Sequence, residues 1–117
     1  MVQPRAGYRF SIDSILLARF ARPRRCDRLL ELGAGCGVIA AILAKIRQPS
    51  AVVAIELQAD LAALARRNFA SNRLLRATAI AADLRARKIT GAAAASFDYV
   101  VANPPYRALQ SGRESPN

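Results

Sequence analysis

Four consecutive residues near the end of the chain, Asn103-Pro104-Pro105-Tyr106, combine types that could hold a planar amine. Two successive prolines lock the backbone and remove two N–H donors, which leaves neighbouring carbonyls to accept hydrogen bonds from a ligand. The Asn103 side chain adds an acceptor, and Tyr106 offers an aromatic face on which a ring can stack. Such a set suits an NH₂ group whose lone pair is delocalised into a ring or carbonyl. Accepting its hydrogens helps the nitrogen pyramidalise and attack a methyl group in line. No strong general base is needed when the methyl group is already activated. A strand-ending turn is the plainer reading of two prolines, and the residues upstream favour the chemical one.

Three glycines alternate at Gly33, Gly35 and Gly37, directly behind the apolar run Leu29, Leu30 and Leu32. An apolar stretch of helical character begins at Val38. The pattern predicts a strand, a tight turn without side chains and a helix N-terminus, where a ligand can lie against bare backbone. Its G-x-G-x-G spacing is one residue shorter than that of dinucleotide sites, and nothing resembles a hydride site, which argues against a dehydrogenase. Three carboxylates accompany the turn. Glu31 stands two positions before Gly33. Glu56 ends the second apolar strand, 23 residues after Gly33, where a carboxylate can accept both hydroxyls of a ribose. A plainer role for it is an acid at the start of the next helix. Asp83 follows a weaker third strand and could equally be a turn aspartate ahead of Leu84-Arg85.

The elements that must position these residues alternate. Ser11 and Asp13 can cap a helix in which Ile12, Ile15, Leu16 and Phe20 share a face. Pro23, among arginines, ends it. Helices are expected over Val38 to Ile46 and Gln58 to Phe69, and strands at Ala51 to Ile55, Thr78 to Ala82 and Phe97 to Ala102. Alternation of this kind predicts right-handed βαβ units in a doubly wound parallel α/β sheet.

The preceding acid and G-x-G-x-G turn resemble motif I of the class I S-adenosylmethionine (SAM) methyltransferases. With Asn103-Pro104-Pro105-Tyr106, the chain resembles their amino-methylating branch, which acts on adenine N6, glutamine amides or guanine N2. The stretch from Gln3 to Leu17, and Gly112-Arg113 with Ser115-Pro116-Asn117, are similar to the bacterial tRNA(Val) adenine-37 N6-methyltransferases. The resemblance implies SAM as cofactor, held by Glu31, Gly33, Gly35, Gly37, Glu56, Asp83 and Asn103. The glycines would meet its methionine end, Glu56 its ribose and Asp83 its adenine. Asn103, Pro104, Pro105 and Tyr106 would be catalytic, and Tyr8 to Asp13 would close one side of the pocket. It implies a Rossmann-like fold of seven strands, of which the chain supplies about four, and tRNA as substrate. The alternatives are a release-factor glutamine N5-methyltransferase and a non-catalytic SAM-binding piece. The expected organisation is an extension over 1–27, a SAM-binding core over 28–106 and a polar tail over 107–117.

Composition agrees with this reading. The 117 residues make room for one domain, 53% hydrophobic. A net charge of +10, with no histidine, favours a polyanionic partner, although an arginine- and alanine-rich composition also follows from GC-rich coding. Cys26 and Cys36, ten residues apart, fit neither a zinc site nor a disulfide framework. No metal is expected. No run of about 18 apolar residues predicts a membrane span, and the expectation is a cytoplasmic protein with reduced thiols.

Overall fold

The structure is a computed structural model that describes residues 1–5 and 11–104. The elements run α1 (Ile12–Phe20), β1 (Arg28–Leu32), α2 (Val38–Ile46), β2 (Ala51–Glu56), α3 (Ala59–Ser71), β3 (Ala77–Ala81) and β4 (Tyr99–Ala102). All four strands are parallel, in the order β3-β2-β1-β4. Two crossovers in one direction place α2 and α3 on one face. The chain then returns to the far side of β1, so the strand order reverses there, as it does in doubly wound sheets.

The core lies between that face and the helices. Leu29, Val52, Ala54, Ala79 and Val101 project from the strands onto Ile39, Leu43, Ala65 and Phe69. The unbroken apolar run of β2 is explained by burial of all its residues but the first. On the other face Val100 is 53% exposed. Helix α2 has the bounds its apolar run predicts. Strand β4 begins two residues later than the sequence suggests, because Phe97 and Asp98 serve β1 with their side chains. Asp98 Oδ2 accepts from Arg28 N at 2.9 Å, and the Arg28 guanidinium lies 4.8 Å from the Phe97 ring centroid.

Helix α1 corrects an expectation. Its buried face is Ser14 and Ala18, whereas Ile12, Leu16 and Phe20 point outward at 65, 57 and 82% exposure. Small side chains let α1 approach α2 closely, and the larger apolar ones remain outside. Ser11 occupies the N-cap position without a side-chain cap bond. Both cysteines are free thiols, Cys26 exposed and Cys36 buried, and burial pushes the Cys36 thiol pKa up. Among the described residues no helix is long and apolar enough to cross a membrane, and no group of side chains could hold a metal ion.

Candidate cofactor and amine site at the carboxyl edge of the sheet

The strand order brings the chemical residues to one edge. Asp83 follows the end of β3, Glu56 is the last residue of β2, Gly33 directly follows β1 and Asn103 directly follows β4. Leu32 pairs with Ala102, so Gly33 and Asn103 stand level across the point of reversal. Open α/β sheets leave a ligand crevice at such a point. Pro104 comes next and is exposed. Pro105 and Tyr106, like Tyr8 to Phe10 and the tail, lie outside the described residues.

All three turn glycines have positive φ, +67° at Gly33, +60° at Gly35 and +86° at Gly37. They differ in surroundings. A Cβ on Gly33 would meet nothing within 4 Å, whereas one on Gly37 would stand 3.0 Å from Ala65 Cβ and from the Phe69 ring. Gly33 thus faces open space, and Gly37 allows the turn to pack on α3. Glu56, 7% exposed, braces the turn from the neighbouring strand. Gly35 N donates to its Oε1 at 2.7 Å, and Gln58 N, at the N-cap of α3, donates to its Oε2 at 2.9 Å. The carboxylate therefore fills the helix-end role weighed above. It still keeps acceptor capacity on each oxygen.

Glu31 lies beneath the turn. It is 1% exposed, and its Oε1 accepts from Ala40 N, in the first turn of α2, at 3.0 Å. Burial, reinforced by the Glu56 carboxylate, pushes its pKa to about 8 against the opposing pull of the Ala40 N–H. A raised carboxyl pKa stabilises the fold below the unfolded value of 4.5, and that contribution is lost as pH rises through about 8. Glu31→Gln keeps an acceptor for Ala40 and cannot ionise. It is expected to melt about 5 °C above the parent at pH 8 and to flatten the pH dependence of melting between pH 5 and 8, read by circular dichroism.

Asp83 is engaged by its neighbour Arg85, whose Nε and Nη2 donate to the carboxylate at 2.7 to 3.2 Å. That pairing and the Arg85 backbone N–H hold the Asp83 pKa below its ordinary value. The Asn103 amide donates through Nδ2 to Ser14 Oγ at 3.1 Å, which leaves Oδ1 for another partner. Ser14, 1% exposed on α1, was not expected to serve the site.

Asn68 was also missed. Its fully buried amide donates to Cys36 O inside the glycine turn and to Val2 O, both at 2.9 Å, and accepts from Val2 N at 2.6 Å. One side chain thus ties α3, the turn and the segment before α1. A polar residue on the buried stripe of Leu61, Ala65 and Phe69 was the available signal. Asn68→Ala strands the Cys36 carbonyl and is expected to cost about 2 kcal/mol, read as a lower denaturant midpoint with unchanged slope.

The profile of the methyltransferase small domain family matches residues 10–115. The chain belongs to that family. A tRNA1(Val) (adenine(37)-N6)-methyltransferase of Aliivibrio fischeri is 34% identical over 110 residues, covering 93% of this chain and 44% of the relative. Its counterpart in Escherichia coli O157:H7 is 33% identical, covering 87% and 42%. The chain therefore spans less than half the length of these methyltransferases. Among solved structures, an RNA methyltransferase from Salinibacter ruber in complex with S-adenosyl-L-homocysteine superposes with a TM-score of 0.58 at 24% identity, over 67% of this chain and 51% of that one. Coclaurine N-methyltransferase gives 0.65 at 18% identity, over 78% and 25%. The small-domain chain thus has the Rossmann-like fold of class I methyltransferases.

Proposed function

We propose that the chain carries the cofactor- and amine-binding part of a SAM-dependent methyltransferase acting on the N6 amine of adenine in tRNA, in the cytoplasm. The observation that supports this most is the level placement of Asn103 and Gly33 across the reversal, which sets an amine acceptor beside a bare-backbone turn. The residues present fit the cofactor. Open space over Gly33 admits a ligand that a side chain would exclude, and Glu56 has acceptor capacity for a ribose diol. When bound, SAM supplies a methyl group activated by its sulfonium. Glu56 holds the ribose and the turn together, Asp83 closes the adenine end, and Glu31 supports the first turn of α2 from below. In this division residues 28–106 form the core and 1–27 the extension over it.

The acceptor atoms at Asn103 do the chemical work of this chain. With Nδ2 donating to Ser14, Oδ1 and the Pro104 carbonyl are left to accept the two amine hydrogens and turn the nitrogen lone pair out of the ring plane. Pro105 and Tyr106 would fix the loop and stack on the base. Activity is tested by incubating the protein with methyl-labelled SAM and unmodified tRNA and digesting the RNA to nucleosides. The label is expected in N6-methyladenine. Asn103→Ala should lower transfer at least about a hundredfold, a larger loss than its effect on SAM binding. Label arriving instead on a glutamine amide of a release-factor peptide would overturn the RNA reading.

A further inference from the structure

A second concavity lies at the amino edge of the sheet, opposite the site above. It encloses about 440 Å³ between the C-terminal ends of α2 and α3 and the start of β3. Four of its lining residues are cationic, Arg25, Lys45, Arg73 and Arg76, and none is acidic. The ion pairs among the described residues are Arg24–Asp27 and Arg85–Asp83, so none of the four is neutralised by a described carboxylate.

Cations near helix C-termini have a structural use, since they complement the helix dipole. Each helix end carries about half a negative charge. Two ends therefore offset about one of the four cations, and a surplus of about three remains. The backbone adds a second observation. Arg73, just past α3, has φ +56°, and Gln48, just past α2, has φ +53°. Glycine adopts this conformation freely, whereas other residues pay about 1 kcal/mol or more. At one of these two positions the chain holds an arginine on the cleft wall. Leu75 stands beside it, 93% exposed.

We propose that this cleft binds backbone phosphates of the RNA substrate, so that the RNA contacts the amino edge while its target base enters at the carboxyl edge. The identity of the polyanion rests on the RNA reading above, whereas the cleft's binding role does not depend on turnover. Three uncompensated cations around a concave surface suit phosphate oxygens, and the exposed leucine suits the apolar face of a ribose. Such contacts would position the nucleic acid without reading its sequence.

The test is fluorescence anisotropy of a labelled anticodon stem-loop RNA titrated with the whole chain at several salt concentrations. Arg73→Gln with Arg76→Gln is expected to weaken binding about tenfold and to reduce the slope of log affinity against log salt by about 1.5 to 2. Arg87→Gln with Lys88→Gln removes the same charge from the exposed loop after β3 and should change affinity less than about twofold. Should the first pair lose its circular dichroism spectrum, Arg25→Gln with Lys45→Gln removes two exposed charges from the same cleft and should give the same tenfold loss. Equal losses from cleft and loop pairs, or no loss from the cleft pair, would overturn the proposal. So would binding of inorganic phosphate with none of RNA. RNA held through the cleft by a folded chain that takes up no SAM would overturn the proposed function and leave the cleft standing. Methyl transfer with wild-type RNA affinity in the cleft variant would do the reverse.

Discussion

Replacing Glu56 by alanine is expected to weaken SAM binding about a hundredfold. The side chain does two things at once, and both are lost. It presents acceptors at the end of β2, and each charge-assisted bond it makes is worth about 1.5 to 3 kcal/mol. It also receives Gly35 N at 2.7 Å and Gln58 N at 2.9 Å, so its removal frees the glycine turn from the neighbouring strand. Glu56→Gln separates these contributions. Its single carbonyl oxygen can keep one of the two backbone amides, and its NH₂ group then faces the other donor. The expected loss is about tenfold. Equilibrium dialysis with labelled SAM reads both variants, and a parallel melt reads the cost to the fold. Wild-type affinity in Glu56→Ala would remove this carboxylate from the site.

The second large effect divides the glycines. Gly37→Ala places a Cβ 3.0 Å from Ala65 Cβ and the Phe69 ring, in a backbone conformation of φ +86°. Left-handed strain of about 1 kcal/mol and overpacking of about 1 to 3 kcal/mol add. Together they should lower the melting temperature by about 15 °C. Gly33→Ala bears similar backbone strain but no crowding, since nothing stands within 4 Å. Its melting temperature should fall by only about 5 °C, while SAM affinity falls at least about tenfold because the methyl group occupies the space over the turn. The two variants should thus rank in opposite order by stability and by binding. The same order in both measurements would mean that the turn acts on the ligand only through the fold.

The alternating glycines made the strand-turn-helix unit legible, because few other patterns place bare backbone between an apolar strand and a helix. Glu56 and Asn103 were legible by their position at strand ends, which the parallel topology brings to one edge. What lay hidden depends on packing. The outward face of α1 could not be read from spacing, since its buried residues, Ser14 and Ala18, are small and its exposed ones apolar. Ser14 meets Asn103 across 89 residues, and Asn68 meets Val2 across 66, distances over which local patterns carry no signal. The Arg85 side chain folding back onto Asp83 is likewise a matter of rotamers. Net charge was legible as a total, and only the fold gathers Arg25, Lys45, Arg73 and Arg76 around one cleft.

Titration calorimetry of SAM into the unaltered 117-residue chain tests most directly whether the carboxyl edge is a cofactor site. The expected result is saturable binding at one site per chain, reduced in Glu56→Ala. A folded chain, by circular dichroism, that takes up no SAM at millimolar concentration would contradict it.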